Sequence, residues 1–213
     1  LEKEKKTIRT FLRQSLIDPI FQTIDLKLSG KNGASVDDRN HFNSTYISGG
    51  ALVGAYESGS AIPTGWKNLD VYLYEKFNEL PDSSNFTNHI RLFYLPQDKL
   101  NIIQNNVSNP FGGYNSGSNH LNIVLPKQNS NAASSHEIYH SLGLPHTWQN
   151  KDKINRTAPF NKTEENGTYS FKYQTTYNIM DYVFPQYYLY HWQSKIANRN
   201  ATQEPANYTP EEL

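Results

Sequence analysis

Three of the seven histidines of this chain fall within eleven residues, in the stretch HEIYHSLGLPH from His136 to His146. Imidazole is a common protein ligand for metal ions, so the spacing decides whether the three rings can meet. On a helix, His136 and His140 lie about 40° apart around the axis and roughly 6 Å along it, so both rings project from one face. That is a two-nitrogen grip on a metal. Continued helix would carry His146 to roughly the opposite side, so a third ligand requires the chain to leave the helix soon after His140. Gly143 offers the exit, because it can take the left-handed conformation that ends helices, and Pro145 forbids resumption.

Three neutral imidazoles leave one position of a tetrahedral zinc ion open, which distinguishes a catalytic site from a closed structural one. The chain has no cysteine, so disulfides, thiolate sites and a catalytic thiol are excluded, and any metal must be held by nitrogen and oxygen. Glu137 sits next to the first ligand, near a metal but angled away from direct coordination. There its carboxylate can take a proton from a water that the metal activates. A histidine pair at this spacing is commonly an exposed helix face or a satisfied core pair, and HExxH alone arises by accident in many proteins. The longer pattern HExxHxxGxxH fixes five positions, and its accidental occurrence in a chain of this length is well below roughly one in a thousand.

These five residues, His136, Glu137, His140, Gly143 and His146, resemble the zinc signature of the metzincin clan of metalloendopeptidases. The only methionine, Met180, lies 34 residues beyond His146 within YNIMDY. The resemblance implies that it forms the Met-turn, an apolar floor beneath the zinc ligands; plain core filling would also suit a methionine. The HT at 146–147 and the run NIMDY are similar to the pappalysin-type branch, whose relatives include bacterial secreted proteases. By the same resemblance Tyr182 matches a tyrosine that approaches the zinc and can stabilise the tetrahedral oxyanion. Packing in an aromatic core is its plainer role. Tyr139 departs from the pattern, standing where small residues are common, which implies altered packing behind the helix.

The resemblance, specific over residues 120–182, implies an α+β fold of metzincin type in a single catalytic domain over 1–213. An upper subdomain (about 1–143) would hold a twisted mixed β-sheet with helices, and a smaller irregular lower subdomain would span about 144–213. The active-site helix and Met-turn would lie at the cleft. It implies one catalytic zinc ion. Some relatives also bind calcium, for which Asp152, Glu164, Glu165 or Asp181 could serve, although no EF-hand-like loop is present and Asp181 is better suited to orienting neighbouring groups. A peptide would pair in extended form with an exposed sheet edge, and residues 119–126, NHLNIVLP, are that strand or its immediate neighbour. The pocket wall would come from between His146 and Met180. Trp148 and Tyr177 are candidates for it, but core packing is the commoner fate of such aromatics.

Positioning these residues falls to a chain of 213 residues, long enough for one domain with a sizeable core and too short for two ordinary ones. Only 36% of residues are hydrophobic, yet there are 15 tyrosines, 10 phenylalanines and 3 tryptophans, so burial must lean on aromatics. Periodicity predicts an amphipathic helix over 4–17 ended by Asp18-Pro19, a strand in IFQTIDLKLSG with a turn at KNG, and mostly loop over 31–65 with room for a short strand in HFNSTYISGGALVGAY. Strands are predicted in LDVYLYEKF, HIRLFYLP and NHLNIVLPK, and helices in NAASSHEIYHSLG and PQYYLYHWQSKIANR, with 147–177 irregular.

Lys plus Arg and Asp plus Glu are equal at 20 each, which excludes the electrostatic footprint of a nucleic-acid or anionic-membrane binder. There is no run of 18 apolar residues, and the start at Leu1 followed by charged residues suits a processed or excised chain, so a secreted or cell-surface bacterial protein acting as a monomer on protein or peptide substrates is expected. Sequons such as Asn85-Phe86-Thr87 and Asn166-Gly167-Thr168 arise by chance in an Asn-rich chain. His41, His89, His120 and His191 lack ligand spacing and read as surface or core residues, with His191 packing in an aromatic helix. The expectation is a zinc-dependent endopeptidase. Two alternatives stay open: an effector domain cutting cell-wall peptides, and a non-catalytic binding module stabilised by zinc, for which Glu137 would be superfluous.

Overall fold

The computed structural model describes residues 1–26, 36–48, 51–55, 64–97, 100–104, 107–115, 121–127, 132–147, 149–150, 153–154, 161–162, 169–171 and 174–202. Within them the chain is α+β. Five helices, α1 (Glu2–Leu12), α2 (Val36–Tyr46), α3 (Thr64–Asn78), α4 (Ala133–Ser141) and α5 (His191–Thr202), accompany strands β1 (Ile47–Ser48), β2 (Ala51–Ala55), β3 (Arg91–Tyr94), β4 (Leu100–Gln104), β5 (Val107–Phe111), β6 (Tyr114–Asn115) and β7 (Asn122–Leu125). Two short antiparallel ladders follow, Gln149–Asn150 with Lys153–Ile154 and Asn161–Lys162 with Tyr169–Ser170.

The described residues fall into two compact units. One draws on Phe21–Ser116 and His120–Ser134, the other on Leu1–Ile20 and Ser135–Leu213. The first contains both larger sheets: a three-stranded mixed sheet in the order β3-β7-β6, with β3 parallel and β6 antiparallel to β7, and a four-stranded sheet in the order β1-β2-β4-β5. Ile123, Val124 and Leu125 of β7 are fully buried, as an interior strand covered on both faces requires. Residues 122–125 therefore lie between two neighbours, and among the described residues β3 and β6 are the outer strands of this sheet.

The core of this unit is built from rings. Phe42 and Tyr46 of α2 pack with Leu69, Tyr72, Leu73 and Phe77 of α3, and with Phe93, Tyr114 and Val124 of the sheet. The Tyr72 ring lies 6.2 Å from Phe42 and 5.7 Å from Tyr46, within the range where aromatic pairs attract. Large rings thus supply the burial that a chain short of aliphatics lacks.

Several expectations are corrected by this packing. LDVYLYEKF is not a strand but the second half of α3: Leu69, Leu73 and Phe77 recur every fourth residue and are buried, whereas Val71 is exposed. Its β-branched and aromatic composition misled, and the period decided. The predicted strand after Pro19 is absent over residues 20–26, where Ile20 is 98% exposed and Leu26 alone reaches the core. KNG lies outside the described residues. Residues 31–65, expected to be mostly loop, contain α2, because Phe42 and Tyr46 gain a partner in Tyr72 that local composition does not reveal, while β1 and β2 lie in HFNSTYISGGALVGAY, where a short strand was expected. The β4–β5 pair was not anticipated. PQYYLY is not helical, and α5 begins only at His191, which is exposed rather than packed. The helix expected over 4–17 is α1 followed by a single 3₁₀ turn, Arg13–Ser15. β3, β7 and α4 stand where the sequence put them.

In α3 the two faces should respond differently to truncation. Leu73→Ala is expected to lower unfolding free energy by about 2–5 kcal/mol in urea titrations, and Val71→Ala to change it by less than about 0.5 kcal/mol.

Candidate metal centre

The three histidines of the candidate metal site all belong to the second unit. In α4, Ile138 and Tyr139 are buried, Ile138 opposite the His136/His140 stripe, and Glu137 and Tyr139 flank that stripe on either side. The helix then stops as its sequence suggests. Gly143 has φ of 82°, its N–H donates to the His140 carbonyl, and the Leu144 N–H donates to the Tyr139 carbonyl. This pair of bonds is the Schellman closure, and the left-handed residue it needs is the glycine. The reversal returns His146 to the other two rings.

The three Nε2 atoms form a nearly equilateral triangle: 3.1 Å between His140 and His136, 3.2 Å between His140 and His146, and 3.3 Å between His136 and His146. Tetrahedral zinc with bonds of about 2.0–2.1 Å spaces its ligand nitrogens about 3.3–3.4 Å apart, so the triangle fits such an ion with almost no adjustment. These three residues could hold a metal ion, and the geometry is compatible with zinc. Their tautomers agree. His136 Nδ1 lies 2.6 Å from the Ile179 carbonyl and His140 Nδ1 lies 2.7 Å from the Leu144 carbonyl. A carbonyl can only accept, so each Nδ1 carries the proton and each Nε2 of that pair presents its lone pair to the centre.

Burial holds both rings neutral. It pushes His136 down to about 4, partly opposed by the Ile179 carbonyl, and His140 down to about 3, with the neighbouring His136 ring adding to the effect.

Met180 lies in a turn tied to this site on both sides. The Ile179 carbonyl receives His136, the Met180 carbonyl accepts from the N–H of Thr147, and Met180 itself is fully buried. Asp181, also fully buried, shapes the turn: its carboxylate accepts from the N–H groups of Gln174, Thr176 and Tyr182 and from the Thr176 hydroxyl. Four such donors occupy its oxygens, so Asp181 organises backbone and is not offered as a calcium ligand. Gln186 donates to the carbonyls of Ile179 and Asp181, and the Asn178 side chain accepts from the Met180 N–H while donating to Gln193. These buried amides carry no spacing signal, and the sequence alone did not reveal them.

Tyr182 is half-buried with its hydroxyl 3.0 Å from His146 Nε2, at the nitrogen that faces the centre. Glu137 is half-buried on α4. Tyr139 is fully buried; its hydroxyl donates to the Phe11 carbonyl at 2.7 Å and lies 3.4 Å from Ser15 Oγ, and burial raises it to about 12. This is the altered packing that its size implied. Tyr177, His41 and His89 are exposed. Trp148, Asp152, Glu164, Glu165, Asn166 and His120 lie outside the described residues. No described helix is long and apolar enough to cross a membrane. Comparison with protein-family models, with curated proteins and with solved structures found no match.

The depressed histidines set a pH dependence. Unfolded histidine titrates near about 6.5, so between about 6.5 and 4 the unfolded chain binds protons that the folded chain refuses, and stability rises with pH through that window. Melting of the metal-free protein should therefore move to lower temperature as pH falls from about 6.5 toward 4, with these two groups contributing no further change above about pH 7.

Proposed function

We propose that this protein is a zinc-dependent endopeptidase of metzincin type that hydrolyses internal peptide bonds of proteins. The observation that carries the reading is the triangle of Nε2 atoms, 3.1–3.3 Å on a side, with Glu137 on the same helix beside the first ligand. The left-handed Gly143 and the buried Met180 turn, joined to His136 and to Thr147 beside His146, support the metzincin assignment.

His136, His140 and His146 would hold the zinc ion, which would supply Lewis-acid polarisation of a water molecule and of the scissile carbonyl. The chain's own groups do the rest. Glu137, about 60° around α4 from His140, accepts a proton as the water oxygen bonds to the carbonyl carbon. When the C–N bond breaks, the same carboxyl returns that proton to the departing amine, so that acid and amine are released and Glu137 is regenerated. The Tyr182 hydroxyl is a donor that can serve the oxyanion developing on the former carbonyl oxygen. The carbonyls of Ile179 and Leu144 keep the imidazoles oriented and in the correct tautomer.

Glu137→Gln is expected to retain about one zinc per chain by elemental analysis yet lose roughly 10²–10⁴-fold in kcat on a denatured protein substrate. Full activity in that variant, or wild-type protein carrying no zinc, would sink the proposal. Tyr182→Phe should lower kcat by about 10²-fold with KM nearly unchanged, as removal of a donor used mainly in the transition state does.

A further inference from the structure

We infer that the amino-terminal segment, α1 with its 3₁₀ turn, is a positioning element of the metal site, acting through Tyr139. The inference rests on the metal-centre reading above and concerns what sets the rotation of the helix that carries two of the ligands.

Tyr139 is adjacent to His140 on α4 and about 60° around the axis from His136. Its ring is fully buried and its hydroxyl donates to the Phe11 carbonyl in the last turn of α1, which also accepts a backbone N–H where the helix ends. The bond gives the buried Tyr139 hydroxyl its acceptor and the Phe11 carbonyl a second donor, so parting the two helices would strand the hydroxyl. The amino-terminal segment is fastened in turn by four more hydrogen bonds. Gln14 donates to the Tyr187 carbonyl and accepts from the Leu189 N–H. Asn198 of α5 donates to the Ser15 carbonyl, and Ser15 Oγ, itself buried, reaches the Tyr139 hydroxyl. Asn200, two residues further along α5, donates to the Leu142 carbonyl at the end of α4.

The consequence is geometric. His136 and His140 Nε2 stand about 5–6 Å from the α4 axis, so a rotation of about 10° would move each by about 1 Å and would swing Glu137 with them. A reactive constellation tolerates about 0.5 Å. Ring packing alone resists such a turn only softly, whereas a 2.7 Å hydrogen bond to a main-chain carbonyl is directional. A small residue at 139 could not reach Phe11. The large side chain at this position therefore assigns to residues 1–15 a part in a site that lies more than a hundred residues away in sequence.

Tyr139→Phe keeps the ring and removes the anchor, and exposed Gln14→Ala loosens the amino-terminal segment without touching α4. With cobalt as the metal probe, wild-type protein is expected to bind one ion and show the absorption of a tetrahedral site. Tyr139→Phe should bind about tenfold more weakly with a shifted d–d spectrum, and Gln14→Ala should shift both in the same direction by less. Leu73→Ala, in the other unit, should lower the melting temperature while leaving the spectrum and affinity unchanged at 15 °C. If Tyr139→Phe does not fold, Gln14→Ala carries the test. Wild-type affinity and spectrum in the folded Tyr139→Phe variant, or in Gln14→Ala where only that variant folds, would overturn the inference and leave the metal centre standing; wild-type protein that binds no cobalt would overturn both.

Discussion

Imidazole lone pairs aimed at one point repel each other, and a fold that brings three ring nitrogens within 3.3 Å must hold them there against that repulsion. Nearly everything else in the second unit can be understood as a response. The two rings on α4 are oriented by carbonyls at their far nitrogens, and those carbonyls come from different places: Leu144 from the helix-ending turn and Ile179 from the Met180 turn. Each ring direction is thereby linked to a separate piece of backbone. Burial of the same rings keeps them neutral and hence able to offer a lone pair at neutral pH.

The Met180 turn is a second construction of the same kind. A turn that supplies carbonyls to its neighbours needs its own N–H groups and conformation secured, and here buried side chains do so: Asp181 gathers donors from residues 174 to 182, Asn178 accepts from the Met180 N–H, Gln186 donates to the Ile179 carbonyl, and Gln193 accepts from Asn178 and from the Tyr190 N–H. Buried polar groups are costly without partners, and most of those in this turn have one. The only methionine then fills the apolar side. Removing any one of these side chains would act on the histidines through the backbone rather than directly.

The second unit is also notable for where its parts come from. Residues 1–20 pack with the chain beyond residue 135, so the segment that opens the sequence braces the helix bearing the ligands. Distance along the chain and distance in the site are unrelated here. The first unit shows the other strategy available to an aliphatic-poor sequence, in which tyrosine and phenylalanine rings stack into a core around α3 and β7.

The histidine triangle was legible in the sequence because the rules that bring the rings together are local: a four-residue helical spacing, a glycine able to adopt a positive φ, and a proline that blocks resumption act over eleven residues. The strands β3 and β7 were legible for the same reason. What the sequence did not determine depends on partners remote in the chain. The strand-like composition of LDVYLYEKF became helix, and the Gly- and Ser-rich stretch before it acquired α2, once Tyr72 could meet Phe42 and Tyr46. The size of Tyr139 had no reading until the Phe11 carbonyl stood 2.7 Å from its hydroxyl, and the four donors around Asp181 were invisible without the turn that assembles them. Side-chain type and short-range period determine which atoms can bind; only tertiary structure decides which carbonyl each donor finds, because burial removes water as the alternative partner.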